Sequence, residues 1–188
     1  LVDLNDAAAT LPNSYNSVEN ITPLETPLSS TINGAALATP VFLSLYAEND
    51  LRLDKYFAET DEKGFRKNKK AGSNNYLCTF RVGEIYLTAA EAAARLGELS
   101  QARTRLLELM RKRYAPEAYE AKSVVVNAMD KEALVQEILD ERARELAFEG
   151  HRWFDLRRST RPRLEKVLDG TRYVLEENDA RYTLAIPK

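Results

Sequence analysis

From Arg81 onward the apolar residues recur at the three-and-four spacing of a helix. Val82, Ile85, Tyr86, Ala89, Ala90, Ala93 and Leu96 fall on one face, and Gly97 stands where a left-handed C-terminal cap belongs. Ser100 is placed to cap a second helix, with Ala102, Leu106, Leu109 and Met110 inward, ending near Arg113-Tyr114. The short connection predicts antiparallel neighbours over 81–114. A third and longest helix is predicted over 130–158, anchored by Leu134, Ile138, Leu146, Trp153 and Leu156, with Arg157-Arg158 suited to the negative end of its dipole. Gly150 interrupts it at about 1 kcal/mol relative to Ala, which predicts a kink or a close backbone contact.

Upstream the pattern is weaker. Thr39-Pro40 is an N-cap followed by Pro at the first helical position, predicting a short helix with Val41, Phe42 and Leu45 inward and Asn49-Asp50 at its end. Residues 51–80 read as extended, with Lys55-Tyr56-Phe57 and Phe65-Arg66 flanking an Asp61–Gly64 turn and Tyr76–Phe80 as a further strand. Residues 1–38 hold no period and are broken by Pro12, Pro23 and Pro27, so they read as surface loop. Residues 159–188 read as loop closing in a strand-like Tyr182–Pro187. The domain reading is therefore an aperiodic 1–38 and a structured 39–188, mostly α, with irregular loops and short β-hairpins.

Composition narrows the function classes. The chain has 188 residues, 44% hydrophobic and 30% charged, which is a globular composition. A net charge of −2 gives no reason to expect nucleic acid as a partner. Cys78 is the sole cysteine, which excludes an internal disulfide or an all-cysteine metal site. Leu1–Asp6 shows no initiating Met, basic start or apolar run of a signal peptide.

Two constellations stand out. Tyr86, Ala90, Gly97, Ala102 and Leu106 follow the large–small–turn–small–large order of a tetratricopeptide-like helix pair, although Ala93 replaces the usual aromatic. One such pair cannot bury its outer face, so apolar surface should remain on 81–113, for preceding parts of the same protein to cover. The second constellation is Glu141, Glu145 and Glu149, three like charges stacked every four residues, which need cations to be tolerated. Arg142, Arg144 and Arg152 on the same helix, and Arg81, Arg103, Arg105, Arg111 and Arg113 on the hairpin, are candidates. We read Glu141, Arg142, Glu145, Glu149 and Arg152 as a structural ion network. A helical di-metal centre would need Glu-x-x-His pairs, and His151 is off that face, so no metal or cofactor is expected. Nor does His151 or Cys78 have the neighbours a catalytic base or nucleophile requires, and no catalytic residue is assigned.

The same segments resemble a known family. Arg81–Leu87, Ala90-Glu91-Ala92 and Leu96-Gly97 are similar to the "R-x-x-E-x-Y-L…A-E-A…G" helix of SusD/RagB proteins. Ile138–Arg158 resembles their "I-x-x-E-R-x-x-E-L-x-F-E-G-x-R-x-x-D-L-x-R" signature, and Asp50-Leu51-Arg52 resembles the preceding "D-x-R". The likeness spans 40–188. It implies a surface lipoprotein that captures glycans, or in some members peptides, as a lid over a SusC-like TonB-dependent outer-membrane barrel. The lipid anchor and further helix pairs would lie in an N-terminal part preceding Leu1. The family's signature is mainly structural, so ligand contacts must be sought in loops. Sugars stack on exposed aromatic rings while amides take the hydroxyls. Asn13, Tyr15 and Asn16 are the first candidates, and Tyr76 after Asn74-Asn75 the second. A helical-repeat scaffold for a protein partner is the alternative reading.

Overall fold

The computed structural model describes residues 1–25, 37–70, 76–168 and 170–183. The chain divides into two compact units, Leu1–Gly150 and His151–Lys188. Among the described residues no helix is long and apolar enough to cross a membrane.

The first unit is built on four helices: α3 (Val82–Leu96), α4 (Leu99–Met110), α5 (Pro116–Ala128) and α6 (Lys131–Glu145). Gly97 ends α3 in the left-handed region (φ 87°), and the amides of Gly97 and Glu98 close on Ala94 and Ala93. Only Gly97 and Glu98 separate the helices, so α4 begins at Leu99, ahead of the expected Ser100 cap. Ala102, Leu106, Leu109 and Met110 are all buried, as the α4 spacing predicts. On α3 the buried face differs from the expected one. Gly83, Leu87, Ala90, Ala93 and Ala94 turn inward, while Ile85 is 43% and Leu96 78% exposed. The rotation brings Gly83 and small alanines to the packed side, where α4 and α6 approach.

Asp130 caps α6, its side chain accepting from the Ala133 amide. The helix does not run to Arg158. It stops at Glu145, and Phe148 (φ 61°) and Gly150 (φ 88°) carry the chain through left-handed geometry before α7 (Arg152–Arg158). Gly150 thus marks a break rather than a kink. The helix α5 has no counterpart in the sequence reading: Pro116 sits in its first turn, but only Val126 is buried.

Ahead of these helices lie α1 (Pro40–Leu43), α2 (Arg52–Tyr56) and three paired strands, β2 (Leu37–Ala38), β3 (Phe57–Thr60) and β4 (Arg66–Asn68). They order β2-β4-β3, antiparallel throughout. The Thr39 side chain caps α1 as expected, yet the helix is a single turn ending at Leu43, and Val41 faces solvent. Lys55-Tyr56 closes α2 rather than forming a strand. The Asp61–Gly64 turn is present, with the Asp61 carboxylate accepting from the Lys63 and Phe65 amides. Within the nominally aperiodic start, β1 (Asn20–Glu25) pairs antiparallel with β5 (Tyr76–Arg81).

The apolar core has two parts. One gathers Leu87, Ala90, Leu106, Leu109, Met110, Tyr114, Val126, Leu134 and Ile138 among α3–α6. The other collects Val2, Leu4, Tyr46, Tyr56 and Phe57, with Phe42 and Phe148 packed edge-on to Phe57.

In the second unit, the hairpin of β6 (Leu164–Leu168) and β7 (Thr171–Leu175) turns through Gly170 at φ 76°. The Trp153 ring stacks on Tyr182 at 5.2 Å. Tyr182 lies in a short 3-10 turn, Ala180–Tyr182, and residues 184–187 of the expected closing strand are outside the described residues.

Candidate functional site

Between the two apolar clusters lies a sealed ion network. The Arg52 guanidinium sits 5.2 Å from the Tyr114 ring of one cluster and 5.9 Å from the Tyr46 ring of the other. It reaches Asp50 at 2.7 Å, Glu141 at 2.7 Å and Glu145 at 3.1 Å. Arg81, the last residue of β5, forks to Glu145 at 2.6 Å and to both oxygens of Glu149 at 2.9 Å. Arg113, just beyond α4, binds Glu145 at 2.9 Å and Glu19 at 2.6 Å. Arg144 meets Glu141 at 2.8 Å and, at the rim, Glu137 at 2.5 Å. Lys70 pairs with Glu149, donates to the Glu145 and Ala147 carbonyls, and lies 4.4 Å above the Tyr56 ring.

All of these groups but the half-buried Glu137 are buried. Arg52, Lys70, Arg81, Arg113 and Arg144 are balanced by Glu19, Asp50, Glu141, Glu145 and Glu149, five against five among the described residues. The neutrality matters, because an uncompensated charge in such a place is costly. Lys70 does a further job: it satisfies carbonyls that the end of α6 leaves open, which holds the chain through the Phe148–Gly150 break.

The electrostatics follow from the geometry. Burial alone would raise the glutamate pKa values, but the guanidiniums more than offset it. Glu145 is held well below the usual carboxylate range by Arg113, Arg81 and Arg52, and Glu149 is lowered to about 2, chiefly by Arg81 and Lys70. Burial brings Lys70 down to about 8 against the pull of Glu149. Carboxylates so firmly ionised hold no proton to donate at neutral pH, and their oxygens are taken up by cations.

The predicted stripe is therefore the centre of the network, while its expected partners are partly revised. Arg81 and Arg113 serve as the sequence predicts. Arg142 is buried, and its Nη1 donates to Thr88 Oγ1 on α3. Arg152 is exposed, at the start of α7 in the second unit. Arg144, one of the cations the sequence places on the long helix, is a member through Glu141, whereas sequence reasoning missed Glu19, Asp50, Arg52 and Lys70.

The ligand candidates separate as clearly. Asn13 is buried at 3% exposure, its Nδ2 donating to the Lys70 carbonyl, so it is not a surface contact. Tyr15 at 54% and its neighbour Asn16 are exposed. Tyr76 lies in β5 opposite Glu25, and its side chain is outside the described residues. Val18, also exposed, shares the Tyr15 loop and was not singled out. A shallow cavity of about 360 Å³ elsewhere is lined by Arg95, Lys131, Glu132 and Val135. It has no aromatic floor, and Arg95 is already paired with Glu91 at 2.9 Å. Among the described residues no three His, Cys, Asp or Glu side chains are grouped to hold a metal.

Fold and site together define a mostly helical scaffold locked by a buried charge cluster. The SusD family model matches residues 35–183, and the chain belongs to that family. Among solved structures it is similar to a SusD-like carbohydrate binding protein from Bacteroides vulgatus ATCC 8482, with a TM-score of 0.58 and 19% sequence identity. The likeness covers 88% of this chain and 42% of that one, so the chain spans less than half the length of that structure. No curated protein matches the chain.

Proposed function

We propose that the chain is the glycan-holding part of a non-catalytic nutrient-capture protein at the outer-membrane surface. It would hold oligosaccharide or polysaccharide in loops borne on the helical scaffold and pass it to a SusC-like TonB-dependent barrel, with lipid anchoring through a segment outside this chain. The observation that carries the reading is the SusD family match across residues 35–183, supported by a fold shared with a structure described as carbohydrate binding. The site chemistry agrees with capture rather than cleavage. Glycoside hydrolysis needs one carboxyl that keeps its proton beside one that does not, whereas Glu141, Glu145 and Glu149 are all lowered and enclosed by cations. Tyr15 supplies an exposed ring for a sugar face and Asn16 an amide for its hydroxyls.

Native gels cast with amylopectin, xyloglucan, arabinoxylan, pectic galactan or yeast mannan test it. At least one polymer should retard the chain without shortening, and Tyr15→Ala should remove the retardation while leaving the melting temperature in place. Failure of every polymer, or release of reducing ends by the wild-type chain, would overturn the proposal. One observation favours a second reading, a scaffold for a protein partner: Ile85 and Leu96 leave an apolar stretch of α3 in solvent.

A further inference from the structure

The loop that carries Tyr15 and Asn16 is fastened at both ends to the buried ion network. At one end Asn13 is inserted beneath the surface, with Nδ2 2.9 Å from the Lys70 carbonyl oxygen. Lys70 is itself held at both ends: its amide meets Asn68 Oδ1 at 3.0 Å, and its ammonium is bound to Glu149 and to the carbonyls of Glu145 and Ala147. At the other end Glu19 is fully buried, gripped by Arg113 at 2.6 Å and Arg81 at 3.3 Å, and it accepts the Val2 amide at 2.8 Å.

Between these two feet the chain closes in successive turns. The Ser14 amide donates to Leu11, Ser17 to Ser14 and Asn20 to Ser17, at 2.9, 2.9 and 3.0 Å. The Asn20 side chain then bonds the Ser14 and Tyr15 carbonyls from below, at 2.7 and 3.3 Å. Only the crown, Tyr15, Asn16 and Val18, is open to solvent.

Asn13 is an expensive choice if stability were its only role. Among the described residues its Oδ1 is buried with no hydrogen-bond partner, as is that of Asn20. A buried unmatched acceptor costs at least as much as one amide hydrogen bond returns. What the pair of asparagines does supply is a fixed position for the crown.

We propose that Asn13 and Asn20 are positioning residues: with the Glu19 foot they hold the Asn13–Asn20 loop in its ligand-ready form, and Tyr15 and Asn16 make the contacts. The role of the contacts rests on the glycan reading above, whereas the positioning can be tested without any ligand. A loop ordered in advance spends less of its binding energy on ordering.

The test uses the full chain with Asn13→Ala, the near-isosteric Asn13→Asp, Asn20→Ala and Tyr15→Ala. Hydrogen exchange at the Ser14 and Ser17 amides should speed at least tenfold in the three asparagine variants and stay unchanged in Tyr15→Ala. Against the polysaccharide that retards the wild-type chain, the two alanine variants should bind about 5–20-fold more weakly with melting temperatures nearly kept, Asn13→Asp should bind weakly and also melt lower because its carboxylate faces the Lys70 carbonyl, and Tyr15→Ala should not bind. Unchanged exchange in the asparagine variants overturns the positioning role whatever the ligand proves to be. Faster exchange with undiminished binding overturns the link to recognition. If Tyr15→Ala also binds normally, the error lies in the contact assignment and not in the loop's anchoring.

Discussion

Replacing Glu145 by Gln tests the network at its most connected point. The substitution keeps the side chain's shape and removes one negative charge from among Arg52, Arg81 and Arg113, which lie 3.1, 2.6 and 2.9 Å away. The balance of five cations and five anions becomes five and four, in a place where neither partner reaches water. The Gln amide nitrogen would also face guanidinium donors where an oxygen now accepts. Breaking a buried ion pair from one side costs about 3–5 kcal/mol, against a total stability of about 5–15 kcal/mol. For a chain of this length each kcal/mol moves the melting temperature about 2–4 °C, so Glu145→Gln should lower it by roughly 6–20 °C. Differential scanning calorimetry of both proteins at pH 7 measures the difference directly. A drop under about 2 °C would mean that the three guanidiniums find other acceptors, and the picture of a tightly balanced core would be wrong.

Gly83→Ala should destabilise despite the better helix former, because a Cβ there would lie 2.6 Å from Arg81 Nη1, 3.1 Å from Glu19 Oε2 and 3.2 Å from Glu145 Oε1. A melting temperature equal to or above wild type, as the helix-propensity gain of about 1 kcal/mol would give, would show that the Arg81 fork can yield. Acid should act late. Glu145 and Glu149 have pKa values depressed in the folded state, so their contribution is present above the unfolded value of 4.5 and is lost as pH falls toward the folded value, about 2 for Glu149. Circular dichroism should show the helices intact near pH 4.5 and failing between there and pH 2, and a fold lost above pH 5 would contradict the assignment.

The sequence disclosed the demand for cations more fully than their source. Three glutamates at four-residue spacing could not be left unneutralised, and Arg81 and Arg113, at the outer ends of a predicted hairpin, were visible suppliers. Arg52 and Asp50 were visible only as a "D-x-R" resemblance, since their segment has no period to say which side faces inward. Lys70 was hidden in Arg66–Lys70, a run that reads as solvated charge: Lys67 and Lys69 are exposed, and strand alternation turns only some of the run inward. Secondary structure failed where local signals were weak or overridden. The β-branched run Val124-Val125-Val126 obscured α5, and Asp169-Gly170 between two apolar runs was the available but unused signal for the β6–β7 hairpin.

The break after α6 shows why one-dimensional periodicity can mislead at a charged core. Residues 138–158 continue a helical pattern well enough to suggest one element, and Gly150 by itself argues only for a bend. In space, the Lys70 ammonium and the Arg81 guanidinium both take the Glu145 carbonyl, and Lys70 takes that of Ala147, at the point where a continuing helix would claim the same oxygens. Phe148 then accepts a left-handed conformation, at a cost of about 1–2 kcal/mol for a bulky residue, and its ring is held by Phe42 and Phe57. The residues that end the helix are thus supplied from 75 and 64 positions away in the chain. The same Lys70 offers its own carbonyl to Asn13. A cluster that is architectural by composition therefore also fastens the start of the Tyr15 loop, through the backbone of the same lysine whose ammonium ends the helix.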